Sequence, residues 1–147
     1  MVEFKKKQFR VYKANGMNTG SALSVDYNIE KESVFLEFAR QKEQRSFDWQ
    51  NKQTIKLSAL ELAKINVFYK DKLTEVKLFH DPGKGNYNSE FKNAVLNISK
   101  SGVNYSIRLN QQSATGSLNS ISINLSPEEM YILTILFSKI IQNVYLI

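Results

Sequence analysis

Two helix starts stand out in the pattern of polar and apolar positions. Leu57-Ser58-Ala59-Leu60-Glu61 and Leu125-Ser126-Pro127-Glu128-Glu129 both read Leu-Ser-x-x-Glu. Each is a capping box: the serine hydroxyl accepts from the backbone N–H three residues on, and the glutamate reaches back to the serine N–H. Pro127 stands at the first helical position, where its missing N–H costs nothing. The spacing predicts one helix over 59–69, with Leu60, Ala63, Ile65 and Val67 among its apolar positions, and a second over 127–144. The second helix carries Met130, Leu133, Phe137, Ile140, Ile141 and Val144 on one face, and Tyr131, Ile132, Ile135 and Leu136 around the rest. A helix apolar nearly all round is buried on several sides. Either a subunit interface or the sheet and neighbouring helix of the same chain would supply that covering.

The segments ahead of each helix read as strands. Phe9–Lys13, Ala22–Tyr27, Val34–Ala39 and Phe47–Leu57 are enriched in β-branched and aromatic residues, and turns such as Asn15-Gly16-Met17-Asn18-Thr19-Gly20 separate them. After the first helix the pattern repeats, with Glu75–Phe79, Ala94–Ser99, Tyr105–Leu109 and Ser117–Leu125 as strands before the second helix. The chain is therefore expected to form two tandem β-β-β-β-α modules packed as one α+β domain over residues 1–147. No stretch reads as a linker or as low complexity.

Period-two alternation assigns side chains to the two faces of each strand. Along Phe47–Leu57, Phe47, Trp49, Ile55 and Leu57 fall on one parity, and Gln50, Lys52 and Lys56 on the other. Arg10 and Tyr12 share a face, as do Ser106, Arg108 and Asn110. A face of Lys, Arg, Tyr, Asn and Gln suits single-stranded nucleic acid: cations neutralise phosphates, rings stack bases, and amides reach base edges or sugars. The solvated outer face of an antiparallel sheet has a similar composition, so the pattern alone leaves both readings open.

Charge and composition sharpen this. Twenty Lys and Arg against fourteen Asp and Glu leave a net charge of +6, which favours a polyanionic partner such as nucleic acid or an acidic membrane surface. Aromatic residues reach 12%, enough to supply stacking rings as well as core. The chain has no cysteine and a single histidine, His80, which excludes thiolate zinc sites, iron–sulfur clusters, cysteine nucleophiles and multi-histidine sites. No cofactor or metal is implied. The stretch 130–147 is interrupted by Lys139, Gln142 and Asn143 and is too short and broken for a membrane span. The basic run Lys5-Lys6-Lys7 has no apolar stretch behind it, so no secretory signal is read there. The sequons at Asn97 and Asn104 are then idle, and a soluble cytoplasmic protein with no membrane partner is expected.

The remaining motifs carry little chemistry. His80-Asp81 precedes Pro82-Gly83 and is read as shaping a turn rather than as a general base with its orienting acid. Gly83-Lys84-Gly85 lacks the leading glycine and following Ser/Thr of a P-loop, which leaves Lys84 as a simple phosphate-touching cation. Trp49, the lone tryptophan, is assigned a structural place near the sheet. The carboxylates Asp26, Glu37, Asp48 and Asp81 are scattered, and no enzyme activity is expected.

Several segments resemble the Whirly proteins, in the right order. Gly20-Ser21-Ala22-Leu23-Ser24-Val25-Asp26 is similar to the family's Gly-Lys-Ala-Ala-Leu-Ser motif. Leu36-Glu37-Phe38-Ala39, followed by Phe47-Asp48-Trp49-Gln50-Asn51-Lys52-Gln53, resembles its strand and Tyr-Asp-Trp-x-x-Lys-Gln signature. Phe79-His80-Asp81-Pro82-Gly83-Lys84-Gly85 resembles its Phe-His-Asp-Pro-x-Lys-Gly turn, Leu57–Ile65 resembles the start of its first helix, and Leu125–Tyr145 fits its second by position and apolarity more than by identity. The resemblance implies two roughly perpendicular four-stranded antiparallel sheets packed with two helices. It also implies assembly as a tetramer through the helices and binding of single-stranded DNA across the sheets with little sequence preference. One departure is plain: the family's motif lysine falls near Gly20-Ser21, with Lys13 separated from it by the insertion Asn15–Thr19. Larger assemblies of tetramers, which that motif supports, are therefore not expected. The plant proteins also carry transit peptides, and none is read here, which points to a prokaryotic or viral setting.

On this reading the contact residues are Arg10, Tyr12, Lys13, Ser21, Ser24, Lys52, Lys56, Arg108 and Asn110, with Phe35 and Phe38 as stacking rings. The expected function is sequence-tolerant single-stranded DNA binding in replication, recombination or repair. RNA binding on the same sheet and a protein-interaction module are the alternatives.

Overall fold

A computed structural model of the chain describes residues 8–28, 30–81, 91–113 and 115–146. The basic run Lys5-Lys6-Lys7 and the segment Pro82-Gly83-Lys84-Gly85 lie outside the described residues. The first sheet comprises β1 (Arg10–Lys13), β2 (Ser21–Asn28), β3 (Ser33–Glu43), β4 (Ser46–Phe47) and β5 (Gln53–Leu57), all antiparallel, with β4 and β5 sharing one edge of β3. After α1 (Ala59–Lys70), the strands β6 (Glu75–His80), β7 (Phe91–Ser101), β8 (Asn104–Ser113) and β9 (Leu118–Leu125) pair in chain order as the second antiparallel sheet. α2 (Pro127–Tyr145) closes the chain. The α+β class and the tandem arrangement match the expectation, and both capping boxes form with the serine and glutamate in their reciprocal roles.

One predicted strand is corrected. Residues 47–57 are not continuous: Trp49–Asn51 form a 3-10 turn between β4 and β5. A register shift and two hydrogen bonds hold the break. The register of β3 shifts between Gln41 and Glu43, Asp48 N–H donates to the Arg40 carbonyl at 2.9 Å, and Asn51 Nδ2 donates to Asp48 Oδ2 at 2.9 Å. Pairing resumes at Gln53 opposite Phe38. The single parity expected for Phe47, Trp49, Ile55 and Leu57 is therefore lost. Ile55 and Leu57 point into the core, whereas Phe47 and Trp49 join Tyr12 and Arg10 on the opposite, outward face.

One core fills the space between the sheets and the helices. Leu23, Val25, Val34, Leu36 and Phe38 from the first sheet, and Leu96, Ile98, Ile107 and Leu109 from the second, are buried in the same cluster as Leu62, Ile65, Phe68, Met130, Leu133 and Phe137. The helices are joined by Asn66, whose Nδ2 donates to the Thr134 carbonyl at 3.1 Å and to Ser138 Oγ at 2.9 Å. Burial within the chain does not cover α2 completely: Tyr131, Ile132 and Ile135 stay 55%, 49% and 51% exposed. Of the apolar positions expected on α1, Ile65 faces the core, with Leu62 and Phe68, whereas Leu60 and Val67 are exposed as well. No helix among the described residues is long and apolar enough to cross a membrane.

The free edge of β9 is closed by side chains of the first sheet. Ser21 Oγ donates to the Ser122 carbonyl at 2.5 Å, Arg40 Nη2 to the Ser120 carbonyl at 2.7 Å, and Gln53 Nε2 to the Asn119 carbonyl at 3.3 Å. Gln111 Nε2 returns a bond to the Thr54 carbonyl at 2.8 Å. An edge stitched in this way offers fewer unpaired carbonyls to another chain.

Candidate functional site

The outward face of the first sheet is built in three cross-strand rows. In the first, Tyr12 stands opposite Ala22, and Ala22 opposite Ala39. Both alanines are fully buried although they face outward, and Tyr12 reaches across to Phe47, with ring centroids 5.4 Å apart. The second row runs Arg10, Ser24, Glu37, Thr54. The Arg10 guanidinium lies 5.0 Å from the centre of the Trp49 ring, and its Nε donates to Ser24 Oγ at 3.2 Å. The third row runs Asp26, Phe35, Lys56. Lys52, beyond the start of β5, ion-pairs with Glu37. Four rings, Arg10, Lys52 and Lys56 therefore share one face, a combination that supplies phosphate neutralisation and base stacking together.

Of the residues expected at the site, Arg10, Tyr12, Phe35, Lys52 and Lys56 lie on this face. Four are placed elsewhere or engaged within the chain. Phe38 points the other way and is fully buried, so its ring is core and cannot stack a base. Lys13 is on the inner parity of β1, where its Nζ meets Glu129 Oε1 at 2.7 Å. Ser21 also faces inward, and its hydroxyl is committed to the β9 edge. Ser24 is on the outward face but fully buried, accepting from Arg10 and from Gln8 Nε2 at 2.9 Å. Phe47 and Trp49 were missed as ring partners because continuous alternation put them inside. The Asp48…Asn51 spacing, which makes the turn, was the available signal.

Arg108 and Asn110 sit on the outward face of the second sheet, whose chemistry differs. Lys77, Asn97, Arg108 and Ser122 form one row and Val95, Asn110 and Ser120 another. Asn110 accepts from the Ser120 hydroxyl, and Asn97 Nδ2 donates to Glu75 Oε2 at 3.2 Å. Amides and hydroxyls dominate this face, with Phe79 exposed at its β6 edge.

The cap glutamates hold the two halves together. Glu61 Oε2 meets His80 Nε2 at 2.6 Å, as Glu129 meets Lys13. His80 is therefore a structural partner of a helix cap. Burial pushes the Glu61 carboxyl up, but hydrogen bonds from His80 and the Ser58 N–H outweigh it and hold the group below its ordinary value. Glu129 behaves alike: burial raises it, and the bonds from Lys13 and Ser126 lower it further than burial lifts it. At Gly20, the glycine of the Gly20-Ser21 stretch near which the family's motif lysine falls, a β-carbon would stand 2.0 Å from the Lys13 carbonyl oxygen and 2.7 Å from Gln41 Oε1. Gln41 Oε1 is already accepting from the N–H groups of Asn15 and Gly20 at 2.9 and 3.0 Å, so this loop has no room for a side chain there.

These features define a small α+β protein with two antiparallel sheets backed by a helix pair, one sheet presenting cations and rings to solvent. The family described as Whirly transcription factor matches residues 8–136, and the chain belongs to that family, whose members bind nucleic acid and are not enzymes. Among solved structures, the plant transcriptional regulator PBF-2 superposes with a TM-score of 0.76 at 20% identity, over 98% of this chain and 85% of that one. WHY1 from Arabidopsis thaliana gives 0.72 at 20% identity, over 97% of this chain and 92% of that one. The trypanosome MRP1/MRP2 structure gives 0.71 at 12% identity, over 94% and 85%. At these identities the structures establish the shared fold. Comparison with curated protein sequences gives no match.

Proposed function

We propose that this protein binds single-stranded DNA through the outward face of its first sheet, largely without sequence preference, and serves replication, recombination or repair. The observation that carries the reading is the juxtaposition of Arg10 over Trp49 and Tyr12 against Phe47 with Lys52 and Lys56 on the same face. Rings and cations interleaved in this way hold a strand by stacking and phosphate contact, neither of which reads sequence. Arg108 and Asn110 extend the contact onto the second sheet. The exposed Tyr131, Ile132 and Ile135 of α2 support assembly through the helices, as a homotetramer.

Fluorescence anisotropy with a labelled oligonucleotide of about 30 nucleotides, at two salt concentrations and with duplex competitor, tests the reading. Salt-sensitive binding that duplex fails to compete is the expected result; no binding at low salt overturns it. RNA is the second reading, favoured by the similarity to a structure of a guide-RNA-binding protein complex bound to its RNA, with a TM-score of 0.67 at 12% identity. Competition between DNA and RNA oligomers of one sequence separates the two, because only RNA offers the 2′-hydroxyl.

A further inference from the structure

One residue on the first sheet's face does not fit a surface that merely attracts phosphate. Glu37 stands at the centre of that face, on the middle strand, between Ser24 and Thr54 across the sheet and next to Phe35 along it. A carboxylate here repels the phosphodiester backbone that Lys52 and Lys56 attract. Its Oε2 holds Lys52, while Oε1 has no partner among the described residues, and 13% of the side chain reaches the surface. The result is an acceptor-only group with one oxygen unused, beside a ring on which a base would stack.

We infer that Glu37 selects among bases by their hydrogen-bonding edges, favouring those with an exocyclic amino donor over thymine and uracil. The inference rests on the single-strand binding proposed above and adds a base-type bias to it. Cytosine presents its N4 amino group, which a carboxylate accepts. Thymine and uracil offer only an N3–H flanked by two carbonyl oxygens, whose lone pairs repel the carboxylate on both sides of that one bond. Discrimination of this kind comes as much from the penalty on the wrong base as from the bond to the right one. Lys52 occupies one carboxylate oxygen and leaves the other to the base.

The test compares affinities of the full chain for oligo-dC, oligo-dT and oligo-dU about 30 nucleotides long, at neutral pH and one salt concentration. The three share a ring size, and dU removes the thymine methyl as a cause. The expected result is a roughly tenfold preference for dC over both dT and dU, the size of one good base-edge contact. In Glu37→Gln, whose amide both donates and accepts, the preference falls towards unity. In Lys52→Ala the affinities for all three fall while most of the preference remains. Equal binding of dC and dT by the unaltered protein overturns the inference and leaves single-strand binding intact. A Glu37→Gln variant that changes all three affinities by one factor also overturns it, and reduces Glu37 to a holder of Lys52. Absence of binding to all three defeats the proposed function itself.

Discussion

The two halves of the molecule follow one plan and carry different surfaces. Each is a run of antiparallel strands ending in a Leu-Ser-x-x-Glu helix cap, and each cap glutamate grips a base at the end of the other half's first strand. Glu129 takes Lys13, the last residue of β1; Glu61 takes His80, the last residue of β6. The outward faces diverge: cations and four rings on the first sheet, amides and hydroxyls on the second. The shared parts are those on which the common core depends. The divergent parts face solvent, where packing constrains side chains least and a partner can choose them.

The sharpest way to break the comparison is within one strand. Phe38→Ala removes a fully buried ring from the core and should destabilise the protein by about 3–5 kcal/mol in denaturant unfolding. Phe35→Ala, three residues away on the outward face, should cost about 1 kcal/mol of stability. Its effect belongs to binding, a loss of about 1–3 kcal/mol for a single-stranded oligonucleotide. If the two variants destabilise equally, the division of β3 into a core face and a ligand face is wrong.

Any side chain at Gly20, as in Gly20→Lys, should destabilise by about 2–3 kcal/mol, because the new β-carbon collides with the Lys13 carbonyl and the Gln41 amide. A variant with an unchanged unfolding midpoint would show that the loop yields without cost.

The cap glutamates provide the next smaller effect. In both, the folded carboxyl lies below its ordinary value of 4.5. Their stabilisation is therefore fully present above about pH 4.5 and is lost as pH falls through the folded values. Glu61→Gln and Glu129→Gln should each lower stability by about 1–2 kcal/mol at neutral pH. The gap from the unaltered protein should narrow as pH falls below 4.5. A gap that is flat from neutral pH to about pH 3 would assign the loss to something other than the ionised carboxylate.

Much of this architecture can be read in the sequence, and the readable parts are local. A capping box is four consecutive residues, so both helix starts fall where the spacing puts them. The shared face of Arg108 and Asn110 on β8 also follows from alternation. Alternation fails where its premise of an unbroken strand fails. The turn at Trp49–Asn51 depends on the neighbouring strand, through the Arg40 carbonyl and a register shift in β3 that a strand's own alternation does not report, and it turned two surface rings into apparent core. Lys13 and Ser21 were read as ligand contacts because their residue types suit phosphate. Their partners, Glu129 and the Ser122 carbonyl, lie more than a hundred residues away. Phe38 shows that a stacking ring and a core ring differ only in parity, which the motif resemblance does not report.

The least of the expected effects asks whether both faces touch one strand. Lys52→Ala with Lys56→Ala removes two cations from the ring-bearing face, and Arg108→Ala removes one from the amide face. Each phosphate contact to single-stranded nucleic acid contributes about 0.7 to the slope of log affinity against log salt. The lysine pair should therefore flatten that slope by roughly 1.4 if both lysines meet phosphates. The Glu37 partnership tempers this, because Lys52 has an ion pair to exchange, so a drop nearer 1 fits a shared lysine. Arg108→Ala should flatten the slope by about 0.7 if the strand continues onto the second sheet. A slope that neither Arg108→Ala nor Lys77→Ala changes confines the strand to the first sheet. The amide and hydroxyl face would then be free of phosphate contact, and the difference between the halves would be one of function as well as composition.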